Sequence, residues 1–269
     1  MAGSPSRATH ALAGTPERRL FAVLASIGIA TALVVNSAPG EDAPQATAES
    51  GPNATVEFDP ASATLTASGE LFETYTDAAG VSQTTLSLQP VNVERDGEWI
   101  PASARVEALP GGRWAVPDHV LAVEFAQDAT DAAAVTVTRD GYEVSSHLVG
   151  ADASSGKVEA SGDESSLIVF EGAADGSNLE YLLSPNAVKE TVVLESAPDS
   201  APQYTWRLDT GELVAERNDA GEVVLLDAAG TVVITIPIPL MWDSSGVVGE
   251  SEDALVNVDY ALTELGAGR

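Results

Sequence analysis

The chain has 269 residues and a formal net charge of −29, with 41 acidic against 12 basic side chains. The negative electrostatic field of such a chain repels phosphate groups, whose binding requires clustered Lys and Arg. We therefore exclude nucleic acid and anionic lipid surfaces as partners of the acidic part. The sequence contains no cysteine, which rules out disulfides and thiolate zinc sites.

The first predicted element is an export segment. Leu20 to Val35 is an uncharged apolar run that follows Arg18-Arg19 and ends in small residues. A basic flank, an apolar centre and a small-residue exit form a secretory signal. The run is shorter than the ~20 residues of a spanning helix, and cleavage is expected after Ser37. We predict that residues 1–38 are a helical signal peptide, with an uncleaved transmembrane anchor as the alternative.

Residues 39–54 are rich in Ala, Pro, Glu, Ser and Gly, which predicts a flexible, disordered leader. Short runs with period-two alternation then begin, as is typical of half-buried strands. Asp96-Gly97 and Asp140-Gly141 lie between such runs, and Asp-Gly supplies the positive φ of a tight hairpin turn. Residues 55–150 are therefore predicted to be a first β subdomain.

Residues 151–165 are polar and are predicted to be a linker. Alternation resumes at Ser166, so residues 166–269 are predicted to be a second β subdomain. A new alternating pattern from Leu255 stops at the C-terminus, which predicts either that the chain continues in relatives or that this subdomain is truncated. Helical periodicity is nearly absent. The predicted fold class is all-β, with antiparallel sandwich or meander subdomains.

Five short segments carry a resemblance to a known family. They are Leu179-Glu180-Tyr181, Val188-Lys189-Glu190, Val193-Leu194, Tyr204-Thr205-Trp206-Arg207-Leu208 and Pro239-Leu240-Met241-Trp242-Asp243. This pattern resembles the N-terminal region of large secreted actinobacterial Rhs/YD-repeat proteins, which are wall-associated-protein-like and often contain DNRLRE modules. The resemblance implies an exported, surface-associated chain of β modules. It transfers no catalytic role, because this chain has neither YD repeats nor a C-terminal effector domain.

No motif in the sequence predicts catalysis. Gly-x-Ser-x-Gly and HExxH are absent, and the stretch from Gly150 to Lys157 is one residue too long for a P-loop. The acid-rich turns 218–221 and 227–230 offer oxygen ligands for calcium but lack the EF-hand spacing, so we interpret them as turns. We predict no catalytic, cofactor-binding or metal-binding residue, and no cofactor.

Other polar and aromatic residues receive structural interpretations. Trp99, Trp114, Trp206 and Trp242 are predicted to anchor an aliphatic core, with a carbohydrate-stacking platform as the alternative. His119 and His147 are expected in strands with partial exposure. Lys189 and Glu190 are expected on opposite faces of one strand, with the lysine solvated.

We therefore expect a non-enzymatic, secreted or cell-surface β-rich module, the N-terminal portion of an Rhs-like protein. The alternative is a secreted carbohydrate-binding or glycosidase accessory module. The sequence does not identify a partner. Cell-wall polysaccharide and downstream modules of a larger chain are the candidates, and membrane contact is expected only at the N-terminal segment.

Overall fold

The computed structural model describes residues 57–196, 202–242 and 258–265, together with the backbone of residues 19–22, 33–37 and 255–257. All regular elements in these residues are β-strands, and every pairing between them is antiparallel. The prediction of an all-β chain with antiparallel sheets is confirmed. No helix in the described part of the chain is long and apolar enough to cross a membrane.

Two large sheets organise the molecule. A seven-stranded sheet has the order β13-β14-β15-β16-β1-β21-β22. Its strands are β1 (Arg19–Ala22), β13 (Lys157–Ser161), β14 (Ser166–Ala174), β15 (Ser177–Ser184), β16 (Ala187–Leu194), β21 (Leu240–Trp242) and β22 (Leu255–Asn257). A six-stranded sheet has the order β17-β12-β11-β10-β9-β8. Its strands are β8 (Glu107–Ala108), β9 (Trp114–Val116), β10 (Val123–Phe125), β11 (Val135–Arg139), β12 (Tyr142–Leu148) and β17 (Trp206–Asp209).

Three smaller sheets flank these two. A four-stranded sheet has the order β2-β5-β4-β3, a hairpin pairs β6 with β7, and a three-stranded sheet has the order β18-β19-β20. Their strands are β2 (Leu33–Ser37), β3 (Thr64–Gly69), β4 (Phe72–Thr76), β5 (Ser82–Leu86), β6 (Asn92–Arg95), β7 (Glu98–Pro101), β18 (Val214–Arg217), β19 (Val223–Leu226) and β20 (Val232–Ile236).

Tight hairpins at Asp-Gly pairs connect several neighbouring strands. Asp96-Gly97, Asp140-Gly141 and Asp175-Gly176 each combine a φ near +50° at Asp with a φ near +80° at Gly. Two consecutive positive φ values are the signature of a two-residue turn whose twist matches that of the flanking strands. The first two turns are those predicted from sequence. The third joins β14 to β15.

The main core lies between the two large sheets. Phe125 and Val116 from the six-stranded sheet pack in one cluster with Phe170, Leu179 and Leu183 from the seven-stranded sheet. Each such side chain contributes about 1.5–3 kcal/mol through burial. A second cluster joins Val144 of β12 to residues of β18–β20 and the preceding loop, including Leu213, Leu225 and Ile234.

The predicted linker 151–165 is not free of regular structure, because it contains β13. It is also tied to residues 103–106. Arg105 makes two bonds of 2.8 Å to the Asp163 carboxylate, and the Ala104 N–H donates to the Asp163 carbonyl. Residues from both predicted subdomains, 55–150 and 166–269, contribute to the main core.

The predicted export segment contains the described strands β1 and β2. The backbone of β1 pairs with both β16 and β21, and that of β2 pairs with β5. The rest of the predicted signal helix, and the whole predicted leader 39–54, lie outside the described residues.

Candidate functional site

A partly buried acid, Glu190, is the centre of the candidate site. In the pairing of β15 with β16, Tyr181 lies directly opposite Glu190, so both side chains are on the same face of the sheet. The Tyr181 hydroxyl donates a hydrogen bond to Oε1 of Glu190 at 3.1 Å. The indole Nε1–H of Trp206, on β17, donates to the same oxygen. Glu190 therefore links the seven-stranded sheet to the edge of the six-stranded sheet.

Core packing holds Tyr181 in place. Its ring is 5.2 Å from that of Phe125 and 6.0 Å from that of Phe170, measured between centroids. Both contacts are tilted or edge-to-face, the arrangements that aromatic quadrupoles favour. Tyr181 is only 2% exposed, and its hydroxyl reaches Glu190. Core packing of Tyr181 thus fixes the position of the hydroxyl that donates to Glu190.

Burial governs the electrostatics of this cluster. Removal from water raises the pKa of Glu190 to about 7, although the hydrogen bonds from Trp206 and Tyr181 act in the opposite direction. Burial also raises the pKa of Tyr181, and the nearby Glu190 charge adds to that shift. The pKa of Tyr260 is raised for the same two reasons. Glu190 is therefore close to half ionised at neutral pH.

A cavity of about 390 Å³ adjoins Glu190. This volume falls within the ~300–1,000 Å³ typical of small-molecule sites. We call it the Glu190 cavity. Its aliphatic wall comes from Val135 and Val137 of β11, Val144 of β12, and β19 and β20. Its aromatic and polar side is formed by Tyr181, Glu190, Tyr204, Trp206, Asp259 and Tyr260.

Tyr260 adds an unsatisfied polar atom to this region. Among the described residues, its buried hydroxyl has no hydrogen-bond partner. A buried hydroxyl without a partner costs about 1–3 kcal/mol. Its neighbour Asp259 is exposed and forms an ion pair with Arg217 at 2.6 Å. Within the described part of the chain, the hydrogen-bonding capacity of the Tyr260 hydroxyl is therefore unused.

The two neighbouring residues Lys189 and Glu190 occupy opposite faces of β16, as strand alternation requires. Sequence analysis expected the lysine to be solvated, but Lys189 is only partly exposed, and burial lowers its pKa. Glu190 was not among the residues predicted to form a site. The sequence around Glu190 did not indicate its role, because its hydrogen-bond partner Trp206 lies 16 residues away on another strand.

The tryptophans do not form a stacking platform within the described part of the chain. Trp99, Trp114 and Trp206 lie on β7, β9 and β17, and each is partly buried. Trp114 and Trp206 pack against the main core, as predicted for anchoring residues. The aromatic partner of Trp206 is Tyr204, at 6.0 Å between ring centroids. The side chain of Trp242 lies outside the described residues.

The turns considered for calcium use their oxygens for backbone hydrogen bonds. Asn218 Oδ1 accepts the N–H groups of Ala220 and Glu222, both at 3.0 Å. Asp227 Oδ1 accepts those of Ala229 and Thr231 at 2.9 and 2.8 Å. These are Asx turns. No group of three or more metal-binding side chains occurs among the described residues.

The stretch from Gly150 to Lys157 is irregular until β13 begins at Lys157. The Lys157 ammonium donates to Glu171 at 2.8 Å. This lysine therefore serves an exposed ion pair that joins β13 to β14.

The expectation for His119 is wrong, whereas that for His147 is confirmed. His119 lies in a turn before β10 and is 2% exposed. Its Nδ1 accepts the Leu121 N–H at 3.0 Å, and its Nε2 lies 3.3 Å from the Ala187 carbonyl, to which it donates. Burial lowers the pKa of His119 to about 4, so the ring is neutral and structural. His147 is a partly exposed residue of β12.

Comparison with known proteins found no matching family model, no matching curated protein and no matching solved structure. Any function must therefore be argued from this chain's own residues. Within the described residues, the main candidate for a binding site is the Glu190 cavity, which an acid and several aromatic residues line together.

Proposed function

We propose that this chain is a non-enzymatic, exported β-rich module of the cell surface. The observation that carries the proposal is the apolar run Leu20 to Val35, with Arg18-Arg19 before it and an acidic, cysteine-free chain after it. A secretory signal has this layout, and a chain without cysteine depends on its packed core for stability. The two large sheets share one core, which supports a β-sandwich architecture.

The site chemistry supports binding over catalysis. Hydrolysis of glycosides requires two cooperating carboxyl groups. Among the residues that line the Glu190 cavity, the second acid is Asp259, and Arg217 holds its carboxylate in an exposed ion pair. The oxygen Oε1 of Glu190 already accepts hydrogen bonds from two structural side chains. The described lining of the cavity therefore lacks the pair of free carboxyl groups that glycoside hydrolysis needs.

Fractionation of cells that produce the chain tests the export proposal. We expect the protein outside the cytoplasmic membrane, and a cytoplasmic location would refute the proposal. Replacing Arg18 and Arg19 by Glu should trap the protein inside, because the basic flank orients the signal. The same replacement at Arg95, an exposed residue of β6, is a control and should leave export unchanged.

Removal of residues 1–38 tests whether these residues are needed for folding. Since β1 and β2 pair with other strands, a cleaved signal would leave β5, β16 and β21 without those partners. If the segment is a signal, the shortened chain should keep its β-rich circular dichroism and a cooperative thermal transition. Loss of that transition would mean that β1 and β2 are integral strands, and would contradict signal cleavage.

The proposed parentage, the N-terminal portion of an Rhs-like protein, rests on the sequence resemblance alone. The genomic DNA immediately downstream of the codon for Arg269 tests it. An in-frame continuation into YD repeats is the expected result. A stop codon followed by an unrelated gene would count against it.

The rival, a secreted carbohydrate-binding module, depends on exposed indoles lying on one face. The three tryptophans whose side chains are described lie on three separate strands, in two different sheets. A pull-down with cell-wall polysaccharide distinguishes the two proposals. We expect no retention through these tryptophans, and retention that is lost in the Trp99→Ala variant would favour the rival.

A further inference from the structure

The charged side chains that line the Glu190 cavity are all acidic. Its lining contains two acids, Glu190 and Asp259, and no lysine, arginine or histidine among the described residues. Arg217 balances Asp259 from outside the lining. The groups that hold Glu190, Tyr181 and Trp206, are neutral donors. An ionised Glu190 therefore faces a space in which no lining residue supplies a positive charge.

The surroundings of Glu190 are aromatic on several sides. Tyr181, Tyr204, Trp206 and Tyr260 all line the same cavity. Aromatic faces carry negative potential and attract cations, by about 0.5–2 kcal/mol for each well-placed ring. An acid within a group of such rings has the composition expected for a site that recognises an ammonium group.

Tyr260 makes the recognition more specific. Its buried hydroxyl lacks a partner among the described residues, and it lines the same cavity as Glu190. An ammonium with N–H donors can bond to an ionised carboxylate and to a phenol oxygen together. A ligand that carries such donors would satisfy the Tyr260 hydroxyl.

The aliphatic lining of the cavity favours a different part of the ligand. Val135, Val137, Val144, Leu225 and Ile234 present only aliphatic surface. Such a wall favours an apolar group of several carbons and gives a hydrated inorganic cation nothing to bind. The absence of a metal-binding cluster among the described residues agrees with this.

We propose that the Glu190 cavity binds a small organic ammonium ion with an apolar body. The ammonium group lies between the Glu190 carboxylate, the Tyr260 hydroxyl and the aromatic rings. The apolar body lies against the valines of β11 and β12. This inference is independent of export, so either proposal can fail without the other.

Isothermal titration of the purified chain with 2-phenylethylammonium tests the proposal. The matched control ligand is 2-phenylethanol, which has the same apolar body and a neutral head. At about pH 8, where Glu190 is mostly ionised, we expect the ammonium to bind at least about tenfold more tightly than the alcohol. Equal affinities, or no saturable binding of the ammonium up to about 10 mM, would overturn the proposal.

The variant Glu190→Gln isolates the charge, because glutamine keeps an oxygen to accept the bonds from Tyr181 and Trp206. We expect it to weaken ammonium binding about tenfold and to leave 2-phenylethanol binding unchanged. The variant Glu195→Gln removes an exposed acid just after β16 and should bind like the native chain. Unchanged ammonium binding in Glu190→Gln would overturn the proposal.

A second variant and a second measurement show whether weaker binding comes from the site or from misfolding of the variant. Tyr260→Phe keeps the ring and removes the hydroxyl, so we expect about a threefold loss of ammonium affinity. In nitrogen-15 spectra, the ammonium should shift the indole N–H signal of Trp206 and leave that of Trp99 in place. Binding that shifts neither Trp206 nor the neighbouring backbone signals would place the ligand elsewhere and refute the site.

Discussion

Glu190 makes the stability of the molecule depend on pH. Its pKa in the folded chain is about 7, against an ordinary value of 4.5. A raised carboxyl pKa means that the folded state binds the proton more tightly. The resulting stabilisation is complete below about pH 4.5 and is lost as the pH rises through 7. Ionised Glu190 is thus a destabilising group in the absence of a ligand.

The variant Glu190→Gln should remove this pH dependence. At about pH 8 we expect it to be more stable than the native chain by on the order of 2 kcal/mol, and at about pH 5 the difference should be small. Urea denaturation at a series of pH values measures the difference. A difference between the two proteins that does not change with pH would contradict the assigned pKa.

His119 changes the stability with pH in the opposite direction, so the contributions of the two residues must be measured in different pH ranges. Its pKa is lowered from 6.5 to about 4. This histidine therefore stabilises the fold fully above pH 6.5, and the contribution is lost as the pH falls through 4. Between about pH 4.5 and 6.5 the two contributions oppose each other. The range from pH 6.5 to about 8 reports Glu190 with the His119 contribution constant.

Truncation of His119 should be among the more damaging single changes. His119→Ala leaves the Leu121 N–H and the Ala187 carbonyl without their partner and opens a void in a buried site. We expect a loss of about 2–4 kcal/mol at neutral pH, measured by urea denaturation. The control His147→Ala removes one bond to the Ala132 carbonyl from a partly exposed residue and should cost less than about 1 kcal/mol. Equal losses would contradict the structural role.

Sequence reasoning is weakest at the residue scale. It placed Lys189 and Glu190 on opposite faces, which strand alternation fixes, but it could not say that Glu190 is the one that lines a cavity. That depends on β17 supplying Trp206 across the core, a contact between residues far apart in the chain. The buried turn at His119 was missed for a similar reason, since its carbonyl partner lies 68 residues away.

At the scale of elements, the hairpin between β11 and β12 offers a direct test of turn chemistry. Gly141 has a φ of +83°, and a methyl group there would meet no atom within 4 Å. Any effect of Gly141→Ala therefore comes from the backbone conformation, which disfavours a side chain. We expect a loss of about 1 kcal/mol, or a fall in Tm of about 3 °C.

A second glycine provides the control for this turn. Gly162 lacks a left-handed φ, and an added Cβ would meet only the Ser165 carbonyl at 3.4 Å, an ordinary contact. We expect Gly162→Ala to change Tm by less than about 1 °C. Thermal melts followed by circular dichroism compare the two. A smaller effect at Gly141 than at Gly162 would show that the turn tolerates the strain.

Local elements were the most predictable part of the structure. Asp96-Gly97 and Asp140-Gly141 fix tight turns by their own backbone preferences, and alternation fixes the strands beside them. The order of strands within the sheets was not predictable. β17 pairs with β12 across some sixty residues, and no local pattern in either strand encodes that partner. The same non-local pairing creates the Glu190 cavity, so the site was beyond sequence reasoning too.

At the scale of the whole molecule, we expect the net charge to determine how stability depends on salt. A charge of −29 on 269 residues implies strong self-repulsion in the compact state. Salt screens this repulsion, with a Debye length that falls from about 30 Å at 0.01 M to about 10 Å at 0.1 M. We expect Tm to rise by several degrees over that range. Thermal melts in sodium chloride measure the rise, and a falling Tm would mean that the ion pairs outweigh the repulsion.

Divalent ions separate general screening from specific binding. At equal ionic strength, calcium and magnesium should raise Tm by the same amount, because Asn218 and Asp227 already use their side-chain oxygens for backbone bonds. A larger rise with calcium alone would revive the calcium alternative and contradict this interpretation of the turns.

Because the Trp206 indole is hydrogen-bonded to Glu190, the intrinsic fluorescence of Trp206 should report the ionisation of this acid. Indole emission responds to the electric field along the ring. The Glu190 carboxylate, which ionises near pH 7, lies next to the indole nitrogen of Trp206. The native chain should therefore show a fluorescence transition near neutral pH that Glu190→Gln lacks. A molecule entering beside Trp206 would be visible in the same signal, without any label.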